Sequence, residues 1–159
     1  MNITSPPVKG DKKRIFIIHG HDIRDRDELI GFLKNRLGFH GSVVMVNEVV
    51  QTMTIPQKFE YLADGVDFAI ALLTPDDEGK ARSDETHRPR ARENVLVEIG
   101  WFWGKLGIGH VLLLVKGRID LLPSDLRGMD YHQYLNSPVE SKCAVRIREF
   151  FETHQTRAD

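Results

Sequence analysis

The sequence contains a single cysteine, Cys143, so no disulfide can form within the chain. That shortage fits a reducing compartment, and the position of Cys143 on the apolar stripe of the last predicted helix indicates a packed thiol. No apolar run approaches the roughly 20 residues of a membrane-spanning helix. A formal net charge of -1 argues against a nucleic-acid partner, since such proteins usually carry a positive excess. We therefore expect a cytoplasmic protein with neither membrane nor nucleic acid as partner.

The rest of the composition is typical of one soluble globular domain. Hydrophobic residues make up 41% and charged residues 28% of the 159 residues, which suit a single core. The N-terminal segment has prolines and a glycine but no apolar run, so it does not resemble a signal peptide. We predict a flexible arm at residues 1–13 and one domain at residues 14–155.

Short apolar runs alternate with helical patterns along the chain. Strands are predicted at Ile15–Ile18, 43–46, Phe68–Leu73, 110–115 and 131–134. Between and after them, helices are predicted near residues 25–37, 54–64, 94–106 and 138–154. This alternation predicts an α/β fold, a parallel sheet with helices on both faces, and five strands favour the flavodoxin-like order 2-1-3-4-5.

The predicted topology also indicates where a ligand would bind. In such sheets ligands lie beyond the carboxyl ends of the strands, near the switch point between the first and third strands. Three predicted loops reach that edge: residues 19–25, 47–54 and 74–92. Residues 80–92, within the third loop, are polar and rich in Arg, Asp and Ser, so we predict that they are mobile.

Glu98 is the leading candidate for a functional residue because residues 94–103 around it are almost entirely apolar. A helix that is apolar on every face is buried, and an isolated buried carboxylate is unstable unless it is paired or protonated. Burial would also raise its pKa, as is common for acids that do chemistry. Spacing offers Asn94 and Lys105 as partners, so a structural acid and a functional one both remain open.

The turn after the first strand has the sequence His19-Gly20-His21-Asp22. A glycine there permits close approach of a ligand to the backbone. The His-x-His spacing is weak evidence for a metal, and without a third ligand at suitable spacing we predict no metal site.

Four arginines, Arg82, Arg88, Arg90 and Arg92, precede the Glu98 helix or open it. Arginine near a helix N-terminus suits a phosphate, and we favour Arg92 and then Arg90 for that role over a merely solvated loop. Trp101 lies three residues beyond Glu98, on the same side of the helix. It would either stack on a ring of the ligand or pack in the core, and we favour packing.

Taken in order, these segments resemble the bacterial TIR-like branch (Toll/interleukin-1 receptor homology) described as predicted nucleotide-binding proteins. The matching pieces are residues 15–22, 54–59, 72–77, 90–100, 104–107 and 122–128. The core Arg-x-Arg-x-Asn-Val-x-x-Glu-x-Gly is the specific part. Many relatives have Gln where this chain has Glu93, which either weakens the approach of substrate or faces solvent.

The resemblance implies a function. Such relatives are toxic effectors of cyclic-nucleotide-signalled anti-phage systems, and they cleave NAD+ at its N-glycosidic bond to release nicotinamide. Glu98 is implied to be catalytic, with NAD+ as substrate and no separate cofactor. Carried over to this chain, the substrate-binding residues are His19, Gly20, His21, Asp22, Thr74, Asp76, Arg90, Arg92, Asn94 and Trp101.

The resemblance also implies assembly. In TIR relatives the loop that corresponds to residues 47–53, from Asn47 to Met53, docks on a neighbouring subunit and completes the site. Its apolar Val49 and Val50 fit that role, and equally fit a loop folded over its own core. Relatives usually carry a sensor domain, so we expect a sensor domain outside this chain or a cyclic-nucleotide-responsive partner in trans.

Two other functions remain open from the sequence. One is a nucleoside deoxyribosyltransferase-like enzyme, which also uses a Glu on a flavodoxin-like sheet, and the other is a non-catalytic TIR adaptor that only self-associates. The apolar surroundings of Glu98 favour an enzyme, and the arginines favour a diphosphate ligand over a simple nucleoside.

Overall fold

Five parallel strands form the central sheet of the computed structural model, which describes residues 13–39, 43–44 and 52–155. The strands are β1 Ile15–Ile18, β2 Val43–Val44, β3 Phe68–Leu73, β4 Asp77–Gly79, β5 Arg88–Arg90, β6 Val111–Lys116 and β7 Asp130–Tyr134. The helices are α1 Ile23–Asn35, α2 Ile55–Ala63, α3 Glu93–Leu106 and α4 Ser141–Gln155. The strand order is β2-β1-β3-β6-β7, and since β4 and β5 pair only with each other, the predicted order of the five sheet strands is confirmed. Of the predicted N-terminal arm, only Lys13 lies within the described residues.

The central strands are covered on both faces, which explains their continuous apolar sequences. Every residue of β1 and β3 is buried. Because side chains alternate along a strand, Phe16 and Ala69 face α2 and α3, whereas Ile17 and Ile70 face α1 and α4. Cys143 is buried on the second of these faces, as the sequence predicted.

The structure corrects part of the predicted loop at residues 80–92, because residues 88–90 form a strand. β4 and β5 form an antiparallel hairpin that pairs Asp77 with Arg90 and Gly79 with Arg88. A Cβ added to Gly79 would lie 2.6 Å from Arg90 Cδ, so the arginine packs directly over the glycine. Neither strand shows an apolar alternation, and for that reason pattern reading misses them.

A charged cluster connects the start of α1 to the ends of β6 and β7. Lys116 Nζ, at the end of β6, lies 2.6 Å from Asp22 Oδ2 and 2.9 Å from Asp25 Oδ2. The hydroxyl of Tyr134, at the end of β7, donates to Asp25 Oδ2 at 2.6 Å. Burial opposes the charged form of Lys116, but its hydrogen bonds to the two aspartates outweigh burial and raise the pKa of the ammonium.

We predict that Tyr134→Phe lowers the free energy of unfolding by about 1–3 kcal/mol, because the fully buried Asp25 loses a donor that water cannot replace. Urea unfolding measures the change. Tyr61→Phe, at a tyrosine that is 63% exposed, is the matched control and should stay within about 0.5 kcal/mol of the parent. Equal effects of the two substitutions would contradict the cluster's structural role.

Candidate active site

A cleft of about 290 Å³ opens at the carboxyl ends of the strands, next to β1. Its walls come from the end of β1, the turn that follows, the first turn of α1 and the start of α3. The lining residues are Ile17, His19, Gly20, His21, Ile23, Arg26, Arg92, Asn94 and Glu98. The cleft therefore lies at the edge that the strand order predicts, and it brings together six of the residues that the sequence singled out.

Packing of α3 on the sheet sets the position of Glu98. Phe102, one turn further along α3, packs on Phe16 of β1 with ring centroids 4.4 Å apart. Val95 and Ile99 are buried on the same face. Because α3 starts near the carboxyl end of β3 and runs back along the sheet, Glu98 lies closer to that end than Phe102 does.

The prediction that this helix is buried on every side is wrong. Val97 is 67% exposed and Trp103 is 39% exposed, because α3 forms an outer layer and covers the sheet with one face only. Glu98 lies at the boundary between the two faces and is half-buried.

Burial raises the pKa of Glu98 to about 7. The cause is loss of water alone, and the described residues give its carboxyl group no ion pair or hydrogen bond. The predicted alternative partner Lys105 is exposed and lines a separate cleft together with Glu60 and Asp64. Glu98 is thus an unpaired acid close to half-ionised at neutral pH, a combination common in active sites.

The Gly20 turn rests on a second layer of side chains behind the cleft. The backbone N–H of His21 donates to Asp76 Oδ2 at 3.0 Å, and a Cβ on Gly20 would lie 1.9 Å from that same oxygen. Only glycine fits at this contact. Thr74 is buried, and among the described residues its Oγ1 has no hydrogen-bond partner. Asp76 therefore supports the turn, and neither Thr74 nor Asp76 is among the residues that line the cleft.

His19 is held in one tautomer. Its Nδ1–H donates to the carbonyl of Gly20 at 2.9 Å, which leaves Nε2 as an acceptor. Burial lowers the pKa of the imidazole, and the charge of Arg26 acts in the same direction. His19 is therefore neutral at pH 7.

Arg92 and Arg26 bring positive charge to the cleft. Arg92 precedes α3 as its N-cap and contacts His21 Nε2 through Nη1. Arg26 was not predicted from sequence; its side chain is only 16% exposed, and its Nε donates to Asp27 Oδ1 at 2.9 Å. The available signal was its place in the first turn of the helix after β1, at the edge where ligands bind.

Asp22 and Arg90 are absent from the lining of the cleft, and their predicted contacts with substrate stay predictions. Asp22 caps α1, since its Oδ1 accepts from the N–H of Asp25 at 3.1 Å and its Oδ2 is bound to Lys116. Arg90 extends along the β4–β5 hairpin and pairs with Glu93 at 3.1 Å. Both side chains already have partners that fix structure.

Trp101 takes the packing role that the sequence favoured. Its ring lies 6.1 Å from that of Phe59 and 5.0 Å from that of Phe102, on the core side of α3. It is absent from the lining of the cleft, so the alternative of stacking on the ligand does not fit this structure.

Three further predictions concern the assembly loop, a metal site and a membrane-spanning helix. Of the predicted assembly loop at residues 47–53, residues 47–51 lie outside the described part of the chain. Over residues 13–39, 43–44 and 52–155, no group of three His, Cys, Asp or Glu side chains could hold a metal ion. Within the same ranges, no helix is long and apolar enough to span a membrane.

A larger cleft of about 670 Å³ is lined mainly by residues next to the start of β1, along α2 and at the end of α3. Its charged side chains Arg14, Glu60, Asp64 and Lys105 include both signs, and Arg14 Nη1 donates to the carbonyl of Asp64 at 3.0 Å. It contains no half-buried, unpaired acid, so the smaller cleft at Glu98 is the better candidate for chemistry despite its size.

The stability of the protein should report the burial of Glu98. A carboxyl group with a raised pKa binds its proton more tightly in the folded state, so stability falls as pH rises from the ordinary value near 4.5 to about 7. We predict that the free energy of unfolding of Glu98→Gln, relative to that of the parent, is about 1–3 kcal/mol higher at pH 8 than at pH 5. This range allows for the solvent that still reaches the carboxyl group.

Urea unfolding at the two pH values measures this gain. Glu152→Gln, at an exposed glutamate of α4, is the control and should keep a constant difference from the parent. A constant difference for Glu98→Gln as well would show that its carboxyl group is ordinarily solvated.

Comparison with known proteins assigns a family. Residues 14–136 match the model of the CAP12/Pycsar effector protein TIR domain. An uncharacterised Escherichia coli protein, YuaY, is 45% identical over 119 residues, which cover 75% of this chain and 39% of YuaY. The Pycsar effector PaPycTIR of Pseudomonas aeruginosa is 40% identical over 74 residues, 46% of this chain and 23% of that protein. XpPycTIR of Xanthomonas perforans is 43% identical over 67 residues, 42% and 22% respectively. The matched part of this chain thus spans less than half the length of these relatives.

Proposed function

The chain belongs to the TIR-domain family of CAP12/Pycsar effectors, and we propose that it cleaves the nicotinamide–ribose bond of NAD+ as an anti-phage effector. The observation that carries the proposal is Glu98: an unpaired, half-buried acid whose pKa is raised to about 7, on the wall of a cleft at the switch point of the sheet.

The reaction suits one carboxylate. The bond between ribose C1′ and the pyridinium nitrogen breaks with its electron pair moving to nicotinamide, which leaves neutral and needs no strong acid. The ribose passes through an oxocarbenium-like state, as in glycoside hydrolysis, and water adds at C1′ with loss of a proton. An ionised Glu98 beside the ribose stabilises this developing positive charge.

The dry surroundings of Glu98 increase that effect. With little water at the carboxylate, its attraction for a nearby cation is screened less than it would be in solvent. The pyridinium of the substrate also favours the ionised form, so binding lowers the pKa of Glu98 and prepares it for the reaction. Asn94 lines the same wall one turn before Glu98, which supports the proposal that it hydrogen-bonds a ribose hydroxyl or the carboxamide.

Turnover tests the proposal directly. Concentrated protein incubated with NAD+ should release nicotinamide, and Glu98→Gln should reduce kcat at least about 100-fold while the protein stays folded. Glu152→Gln, which removes an equal charge far from the cleft, should keep the parent's rate. Full activity of Glu98→Gln would end the assignment of Glu98.

The pH profile of the reaction shows whether the ionised or the protonated form of Glu98 is active. Since the ionised form is required, kcat/KM should rise about tenfold per pH unit below 7 and level off above it. The midpoint for kcat should lie lower, because bound pyridinium favours the carboxylate. A rate that falls as pH rises through 7 would instead make Glu98 a proton donor.

We further propose that activity depends on assembly, through residues 47–53, and on a trigger supplied by a sensor domain or by a cyclic-nucleotide-responsive partner. The rate of nicotinamide release should then increase more than linearly with protein concentration. Light scattering on the same samples should show particle size increasing over the same concentrations. Base exchange on deoxynucleosides without loss of NAD+ would select the deoxyribosyltransferase-like function, and neither reaction in assembled protein would select the adaptor.

A further inference from the structure

Two arginines from different helices converge on the Glu98 cleft. Arg26 enters from the first turn of α1, and Arg92 enters from the residue that caps α3. They are 66 positions apart in the chain, so only the fold brings them to one cleft. Glu98 is the one acid among the lining residues.

The charges of the cleft do not balance. Arg26 is bound to Asp27, a carboxylate at the rim that is 60% exposed, and the described residues give its Nη1 no partner. Arg92 contacts a histidine and, within the described chain, no carboxylate. The nearby Asp22 and Asp25 are already bound to Lys116. With Glu98 about half protonated at neutral pH, the described lining residues together carry an excess of positive charge.

The placement of Arg26 is unfavourable for the protein alone. The first turn of a helix carries the positive end of its dipole, where a cation destabilises the helix by up to about 1 kcal/mol. Its side chain is also largely withdrawn from water, at 16% exposure. A ligand anion at the cleft would offset both effects.

The size of the cleft indicates which anion. A volume of about 290 Å³ lies at the lower end for pockets that hold small molecules. We infer from this size that the cleft holds one nucleotide of a dinucleotide, with the remainder outside. If Glu98 contacts the nicotinamide ribose, the nearest anion is the phosphate on that same ribose.

We propose that Arg26 is a specificity-determining residue which, together with Arg92, binds the phosphate attached to the nicotinamide ribose. The cleft then binds nicotinamide ribosides that carry a 5′-phosphate more tightly than nicotinamide riboside, which has none. Nicotinamide mononucleotide contains every group that the cleft recognises. This inference rests on the proposed function for the identity of the ribose. An arginine with a free Nη1 suits a phosphate because its N–H groups form charge-assisted bonds.

Binding to protein that cannot turn over tests the inference. In the Glu98→Gln chain, calorimetry should show that nicotinamide mononucleotide binds more tightly than nicotinamide riboside. Adding Arg26→Gln should weaken binding of the mononucleotide about 10- to 100-fold and change binding of the riboside less than about twofold. Raising the salt concentration should weaken mononucleotide binding in the Arg26 protein more than in the variant.

Arg24→Gln is the matched control. It removes the same charge from the same turn of α1, but Arg24 is 76% exposed and pairs with Glu28 outside the cleft. It should leave both affinities unchanged. Arg26→Lys should recover part of the lost affinity, since the charge remains while the second N–H is lost. A thermal melt of each variant checks that it is folded.

The outcomes separate the two proposals. Equal weakening of both ligands by Arg26→Gln, or no weakening, would overturn the role of Arg26, as would the absence of mononucleotide binding. Arg26-dependent binding without nicotinamide release by the parent protein would keep the phosphate site and refute the glycohydrolase.

Discussion

A carboxyl group that has lost water without gaining a counter-charge is the constraint on which the rest of the site depends. Glu98 would be unremarkable on the exposed face of α3, where Val97 lies, and it would be fully protonated if it faced the sheet as Ile99 does. The boundary between these faces gives an intermediate environment, in which burial raises the pKa of Glu98 to about 7. Small changes in nearby charge therefore decide whether the acid is ionised.

The boundary is fixed by apolar packing, and the polar wall opposite is fixed by hydrogen bonds. Phe102 against Phe16 holds α3 on the sheet. Across the cleft, Asp76 holds the backbone of His21, and Lys116 holds Asp22 and Asp25 at the start of α1. Several charges that look catalytic in the sequence thus have structural partners, and their removal would displace the wall of the cleft.

The features that the sequence predicts well are those set by local patterns. Continuous apolar runs identify β1, β3 and β6, and their alternation with helices leads to the observed sheet order. Glu98 is found because one acid interrupts an apolar stretch. What the sequence misses depends on distant contacts: Lys116 meets Asp22 across 94 positions, and Tyr134 meets Asp25 across 109. For Arg26 the sequence offers only its place in the first turn of the helix after β1, and the fold shows that it lines the same cleft as Glu98.

The same contacts explain why a site of this kind reduces the stability of its protein. An unpaired acid in a half-dry position and an arginine at the positive end of a helix both oppose folding. Buried apolar strands and the Lys116 cluster supply the compensating stability. The proposed substrate, which carries a pyridinium and a phosphate, would give Glu98 a cation and would give Arg26 a second anion beside the exposed Asp27. Binding free energy then comes from relieving two unfavourable placements at once, and a ligand that lacks either charge can relieve only one of them.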